Sequence, residues 1–187
     1  MKSLRVLAAL LLLPLALSAA ERNLKVDPAR SYLDVDVKST VDSFTAHLDA
    51  YALRGTVDDK GRIKTAMLMF KFDDLKTGKP ERDKKMLEWL GGDEPSGKFE
   101  LGILALTPDG QGQANGNLTF HGATNLVEFP VNVSKAGDSY IITGEATIDY
   151  RSWKLKVFRT LGVLKVDPFV KIRFKFTGDV IETAPAK

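Results

Sequence analysis

The sequence contains no cysteine. That absence excludes disulfide cross-links, thiol redox chemistry, thiolate metal sites and lipid attachment at an N-terminal cysteine. Histidine is nearly missing as well, with only His47 and His121. A zinc site needs about four ligands, or three and a water, so no metal is expected, and nothing calls for another cofactor. There is no G-x-S-x-G elbow and no glycine-rich phosphate loop. The acidic pairs Asp58-Asp59 and Asp73-Asp74 are adjacent in the chain. In a strand their side chains would diverge to opposite faces, so neither forms an acid–base pair, and both fit turns or strand ends. With no nucleophile, base and oxyanion site in prospect, no enzyme activity is expected.

Long apolar runs are confined to the N-terminus. Met1 to Arg5 carries Lys2 and Arg5, Val6 to Leu17 is apolar but for the helix breaker Pro14, and Ser18-Ala19-Ala20 offers small residues. These are the three parts of a secretory signal peptide, and the run is short for a bilayer span or a retained anchor. Residues 1–20 are therefore expected to be removed, leaving a mature chain from about Glu21 in the periplasm. That leaves 167 of the 187 residues, enough for one domain with a core that needs no disulfides. Setting Lys2 and Arg5 aside, 25 basic residues face 24 acidic ones, a net charge of +1. Such a balance lacks the basic footprint of a nucleic-acid binder.

The dominant period of the remaining chain is two. Leu33, Val35 and Val37 alternate with Asp34, Asp36 and Lys38, and Val170, Ile172, Phe174 and Phe176 with Lys171, Arg173 and Lys175. Similar runs occupy 66–72, 99–105 and 127–133. Each has one face to bury and one to wet. Asp58-Asp59-Lys60-Gly61, Pro108-Asp109-Gly110, His121-Gly122 and Ala136-Gly137-Asp138 supply turns between them. An antiparallel sandwich or up-and-down barrel follows. One stretch departs from the pattern. Pro80 to Leu90 spaces Met86, Leu87 and Leu90 helically beside Trp89, with Pro80 first and Gly91-Gly92 as the stop. This predicts one short helix across a rim of the sheet. Arg159 to Asp167 is expected to close one end, residues 21–181 to form the domain, and 182–187 a disordered tail.

Inward parity places Ala46, Leu48, Ala50 and Ala52 on one strand and Ala114, Gly116, Leu118 and Phe120 on a second. A third turns Tyr140, Ile142, Gly144, Ala146 and Ile148 inward. Small inward residues leave space. A barrel of about eight strands either fills that space with neighbouring side chains or holds a small ligand, and parity alone leaves both readings open.

The segment Thr77-Gly78-Lys79-Pro80-Glu81-Arg82-Asp83, leading into the helix and then to the strand containing Lys98-Phe99-Glu100, resembles the T-G-x-x-x-R-D motif of the YceI-like family. Gly116-Asn117-Leu118-Thr119-Phe120-His121-Gly122-Ala123-Thr124 is similar to that family's G-x-L-T-x-H-G-x-T hairpin, and Asp149-Tyr150-Arg151-Ser152-Trp153 to its later arginine-containing segment. The resemblance spans about Leu24 to Val180. It implies an all-β, eight-stranded antiparallel, lipocalin-like barrel with one short helix, whose cavity takes an isoprenoid or quinone-like lipid. The chain departs from the pattern at Val26 and Arg30-Ser31, where the family has a tryptophan and a His-Ser pair. It departs again at Lys85 and Glu88-Trp89-Leu90, where histidine and a Phe-Phe pair are usual.

Parity and resemblance together nominate an apolar ligand-binding set: Leu48, Leu68, Phe70, Leu101, Ile103, Leu118, Phe120, Phe129, Val131, Ile142 and Ile148. For each, ordinary core is the competing role. Arg82 and Asp83 either read a polar headgroup or tie the helix to the barrel, and His121 either meets a headgroup or serves its turn. Three functions compete. The first is a periplasmic carrier of an isoprenoid or other long-chain apolar lipid, without nucleic acid as partner. The second is an enzyme acting on such a lipid. The third is a filled barrel whose Lys171, Arg173 and Lys175 row touches an anionic membrane surface peripherally.

Overall fold

A computed structural model describes residues 22–92, 94–160 and 163–181. The predicted signal peptide and the tail 182–187 lie outside the described residues. In chain order the elements are β1 (Arg22–Val26), β2 (Tyr32–Val37), β3 (Phe44–Leu48), β4 (Tyr51–Val57), β5 (Ile63–Lys71), β6 (Leu75–Lys76), helix α1 (Pro80–Leu90) and β7 (Ser96–Leu106). They continue with β8 (Gln111–Phe120), β9 (Ala123–Ala136), β10 (Ser139–Asp149), β11 (Arg159–Thr160), β12 (Leu164–Lys165) and β13 (Phe169–Ile181).

Hydrogen-bonded neighbours run β1-β4-β5-β7-β8-β9-β10-β13, and β13 returns to β1. All pairs are antiparallel, so this is a closed eight-stranded barrel, which leaves no full-length edge exposed. β2, β3 and β6 extend three of the eight strands past a break. β1 and β2 lie end to end along β13, with Leu24 opposite Val180 and Leu33 opposite Phe174, and the 3-10 turn Pro28–Arg30 between them. β3 and β4 are parted by Asp49-Ala50, and β5 and β6 by the 3-10 turn Phe72–Asp74.

Alternation decides what faces in. Along the longest ladder Ile142, Gly144, Ala146 and Ile148 meet Phe176, Phe174, Ile172 and Val170 across β10 and β13. The intervening charges point out, where Arg173 grips Asp36 through two nitrogens at 2.7 and 3.0 Å.

One expectation about the inward residues of 46–52 needs correction. Residues 46–52 are not one strand. The break at Asp49-Ala50, where the Asp49 amide donates to the Asp74 carbonyl at 2.9 Å, shifts parity by one. Ala46 and Leu48 face in, then Tyr51 and Leu53, while Ala50 and Ala52 are exposed. The inward glycines leave no holes. A Cβ on Gly144 would sit 2.4 Å from the Phe174 ring, and one on Gly116 2.4 Å from Phe99. Each glycine is a floor for an aromatic ring from the neighbouring strand.

The two ends differ. At the base, Leu24, Val57 and Tyr140 form a small buried cluster, and the Tyr140 hydroxyl donates to the Gly61 carbonyl at 2.8 Å. The turn there is held by Asp58, whose carboxylate accepts from the Lys60 and Arg62 amides at 3.0 and 2.8 Å. At the other end lie α1 and the β11–β12 hairpin, the latter tied to Ser39 through a bridge at Val166. α1 has the predicted bounds. The carboxylate of Asp83 accepts from the Thr77 amide at 2.9 Å and the Thr77 hydroxyl at 2.5 Å, fixing the approach to the helix. Gly91, at φ +70°, ends it.

Candidate functional site

The inward side chains do not fill the barrel. They enclose a cavity of about 930 Å³, within the range of small-molecule sites. Leu48 from β3, Leu68 and Phe70 from β5, Leu101 from β7 and Leu118 and Phe120 from β8 all form its wall. So do Phe129 and Val131 from β9 and Ile142 and Ile148 from β10.

Ile103 does not. Its side chain is 63% exposed, because β7 bulges at Gly102: Leu101 pairs with Gly116, but Ile103 pairs with Asn115. The extra residue reverses the faces, so Leu104 replaces Ile103 in the wall. The Asn115 carboxamide oxygen accepts from the Ile103 amide at 3.0 Å and holds the bulge.

Of the three predicted polar residues, only Arg82 lines the cavity. Asp83 is engaged with Thr77. His121 sits in the β8–β9 turn at φ 47°, where its Nδ1–H donates to the Trp153 carbonyl at 2.8 Å. Both act on the fold at this end of the barrel and do not reach the cavity.

Rings dominate the interior. Phe99, Phe129, Phe174 and Phe176 follow one another at centroid distances of 5.8, 5.7 and 5.2 Å. A second series runs from Phe70 through Phe72 to Phe120, which stacks on Trp153 at 4.7 Å. Trp89 of α1 meets Tyr150 and Phe158 edge-on and donates its indole N–H to the Lys156 carbonyl at 2.9 Å. Burial pushes the Tyr150 hydroxyl up from its ordinary value, and it donates to the Val166 carbonyl at 3.3 Å.

Among the described residues, the charged members of the wall are Arg54 toward the base and Asp42, Lys79, Glu81, Arg82 and Lys85 beside α1. The polar mouth is therefore at the helix. Arg82 bridges it: its guanidinium lies 3.8 Å from the centroid of Phe44 and 3.5 Å from the Asp42 carboxylate. Such a site accepts an apolar body inside and a polar group at one end.

The outer row on β13 has partners of its own. Lys171 pairs with Glu145 at 2.6 Å, and Arg173 with Asp36 and Asp34. Two of the three cations proposed for an anionic surface are thus already matched by carboxylates on the neighbouring strands.

The nominated set omitted wall residues whose signal was plain. Leu33, Val35, Val37, Ile172, Phe174 and Phe176 all line the cavity, as their alternation required. Trp89, Leu155, Phe158 and Val166 come from the helix and an irregular segment, where no period marks the inward face.

The sequence profile of the YceI-like domain matches residues 24–178. The crystal structure of BcnA from Burkholderia cenocepacia superposes with a TM-score of 0.66 at 16% identity, over 82% of this chain and 99% of that one. The YceI protein of Campylobacter jejuni gives 0.53 at 13% identity, over 79% and 88% respectively. At these identities the likeness is one of fold. No curated protein matches the chain.

Proposed function

The chain belongs to the YceI-like family, and on that premise we propose that it is a binding protein, exported to the periplasm, that carries an isoprenoid or quinone-like lipid inside the barrel. The observation that carries this reading is the apolar cavity of about 930 Å³ with its charged residues gathered mainly at one mouth. Burying a chain there gains about 0.8 kcal/mol per methylene, part of which is offset by ordering a flexible tail. Arg82 is the residue we assign to the headgroup. Its contact with Asp42 is a single one at 3.5 Å, so the guanidinium has donors to spare for a carbonyl, hydroxyl or phosphate.

Native mass spectrometry of protein purified from periplasm, followed by organic extraction, tests the reading. A stoichiometric apolar adduct on a chain beginning near Glu21 is expected. A clean apo mass that takes up neither added quinone nor added polyprenol would refute the carrier role, and an unprocessed N-terminus would refute export.

A further inference from the structure

The barrel wall is not hydrogen-bonded along its full height between β5 and β7. β5 pairs with β7 only over Met67–Lys71 and Ser96–Glu100. Toward the base, residues 63–66 of β5 stay bonded to β4 alone, and 101–106 of β7 to β8 alone. Both strands carry an irregularity where they part: the Gly102 bulge in β7, and a register shift between Thr56/Val57 and Thr65/Ile63 in the β4–β5 ladder. Bulges bend strands and add twist, and these two lie where the β5–β7 pairing stops.

Two other seams also open, and each is covered. β9 leaves β10 after Val131↔Gly144. The 3-10 turn Tyr150–Trp153 sits there, with Trp153 2% exposed and its indole N–H on the Leu118 carbonyl at 2.9 Å. The gap between β6 and β7 is the one α1 follows. Among the described residues, the base-end connections of these strands are the turns 58–62, into β5, and 107–110, out of β7, and neither contains a helix or a 3-10 turn.

The cavity reaches this split. Ala66 of β5 and Leu104 of β7 line it from the two sides, and Arg54 and Thr65 on the β4–β5 side line it while also being solvent-exposed. Outside, the lip carries Ile103 and Leu106, 63% and 40% exposed. Resting on the carrier reading above, we propose that the β5–β7 split is a side portal through which the distal end of a long-chain ligand leaves the barrel while its head stays at the α1 mouth. The chain length accepted is then not capped by the cavity, and the emerging tail lies along Ile103 and Leu106.

The test is a chain-length series of prenyl alcohols, farnesol, geranylgeraniol and solanesol, with a solanesol analogue bearing a diazirine at its far end. Wild-type protein is expected to bind all three, and photolysis to label 63–66 or 101–106. Ala66→Phe, which fills the portal from inside, should weaken solanesol about ten-fold or more relative to farnesol. The label is read on wild-type protein, so it stands even where the variant fails to fold. Labelling confined to the inner wall at Leu118, Phe129 or Val131, or an equal loss for every chain length in Ala66→Phe, overturns the portal while leaving the carrier intact. No uptake of any length overturns both.

Discussion

Trp153 shows how one side chain closes a seam. Its indole is buried, stacks on Phe120 and donates to a β8 carbonyl. Trp153→Phe keeps most of the packing but removes the indole donor to the Leu118 carbonyl, and should cost about 1 kcal/mol. Trp153→Ala adds a cavity and should cost about 3–5 kcal/mol. Urea unfolding of the two variants separates the hydrogen bond from the volume. On the outer wall, Asp36 is held down to about 2 from its ordinary 3.8, chiefly by the Arg173 guanidinium and further by the Thr45 hydroxyl, against the opposing effect of burial. A carboxylate lowered in the folded state stabilises it above the unfolded pKa, and that contribution is lost as pH falls from about 4 to about 2. The pair is partly solvated, so Asp36→Asn should cost only about 1 kcal/mol at neutral pH. Unfolding free energies measured across that pH window should show the gap between wild type and variant closing at the acid end. A gap that is independent of pH would remove the ionic explanation.

The helix and the breaks in the strands tell different stories about what sequence reveals. Residues 80–90 announced a helix through Pro80, helical apolar spacing and Gly91-Gly92, and α1 has those bounds. Alternation likewise exposed the faces of β2, β8, β10 and β13, because polar residues mark one side. It failed at Leu101-Gly102-Ile103-Leu104 and at Leu48-Asp49-Ala50. In the first, apolar residues occupy both parities, so a one-residue slip leaves no trace in the pattern. In the second, Ala50 and Ala52 continue an apparent alternation through a break set by a hydrogen bond to Asp74. The T-G-x-x-x-R-D segment marked the right neighbourhood, but only the folded geometry separates its last two residues: Arg82 to the mouth, Asp83 to Thr77. That division is testable. Asp83→Ala removes the acceptor of both Thr77 donors and should loosen the start of α1, raising amide hydrogen exchange over 77–90 while the β8–β9 hairpin stays protected. Arg82→Ala should leave that exchange unchanged and alter ligand affinity. If both variants loosen the helix equally, Arg82 is a tie and not a headgroup contact.

A closed barrel with an apolar void is under-packed, since the side chains lining it lack protein partners on one side. The same void is therefore a source of instability when empty and of linkage when filled. Ligand at about a hundred times its dissociation constant adds about 2.7 kcal/mol to the folded state, so the melting temperature should climb with the concentration of an added quinone or polyprenol. Ala146, opposite Ile172 in the wall, allows the two effects to be separated. Ala146→Phe places a ring in the void without touching the mouth, the bulge or α1. It restores contacts to side chains that lacked them, so the unliganded variant should melt no lower than wild type, provided the ring fits without strain. The volume it takes is volume a ligand needs, so the thermal shift with added lipid should shrink or vanish. A variant that melts normally and still responds fully to lipid would show that the ligand does not use the part of the cavity beside Ala146, because no apolar chain and phenyl ring can occupy the same space.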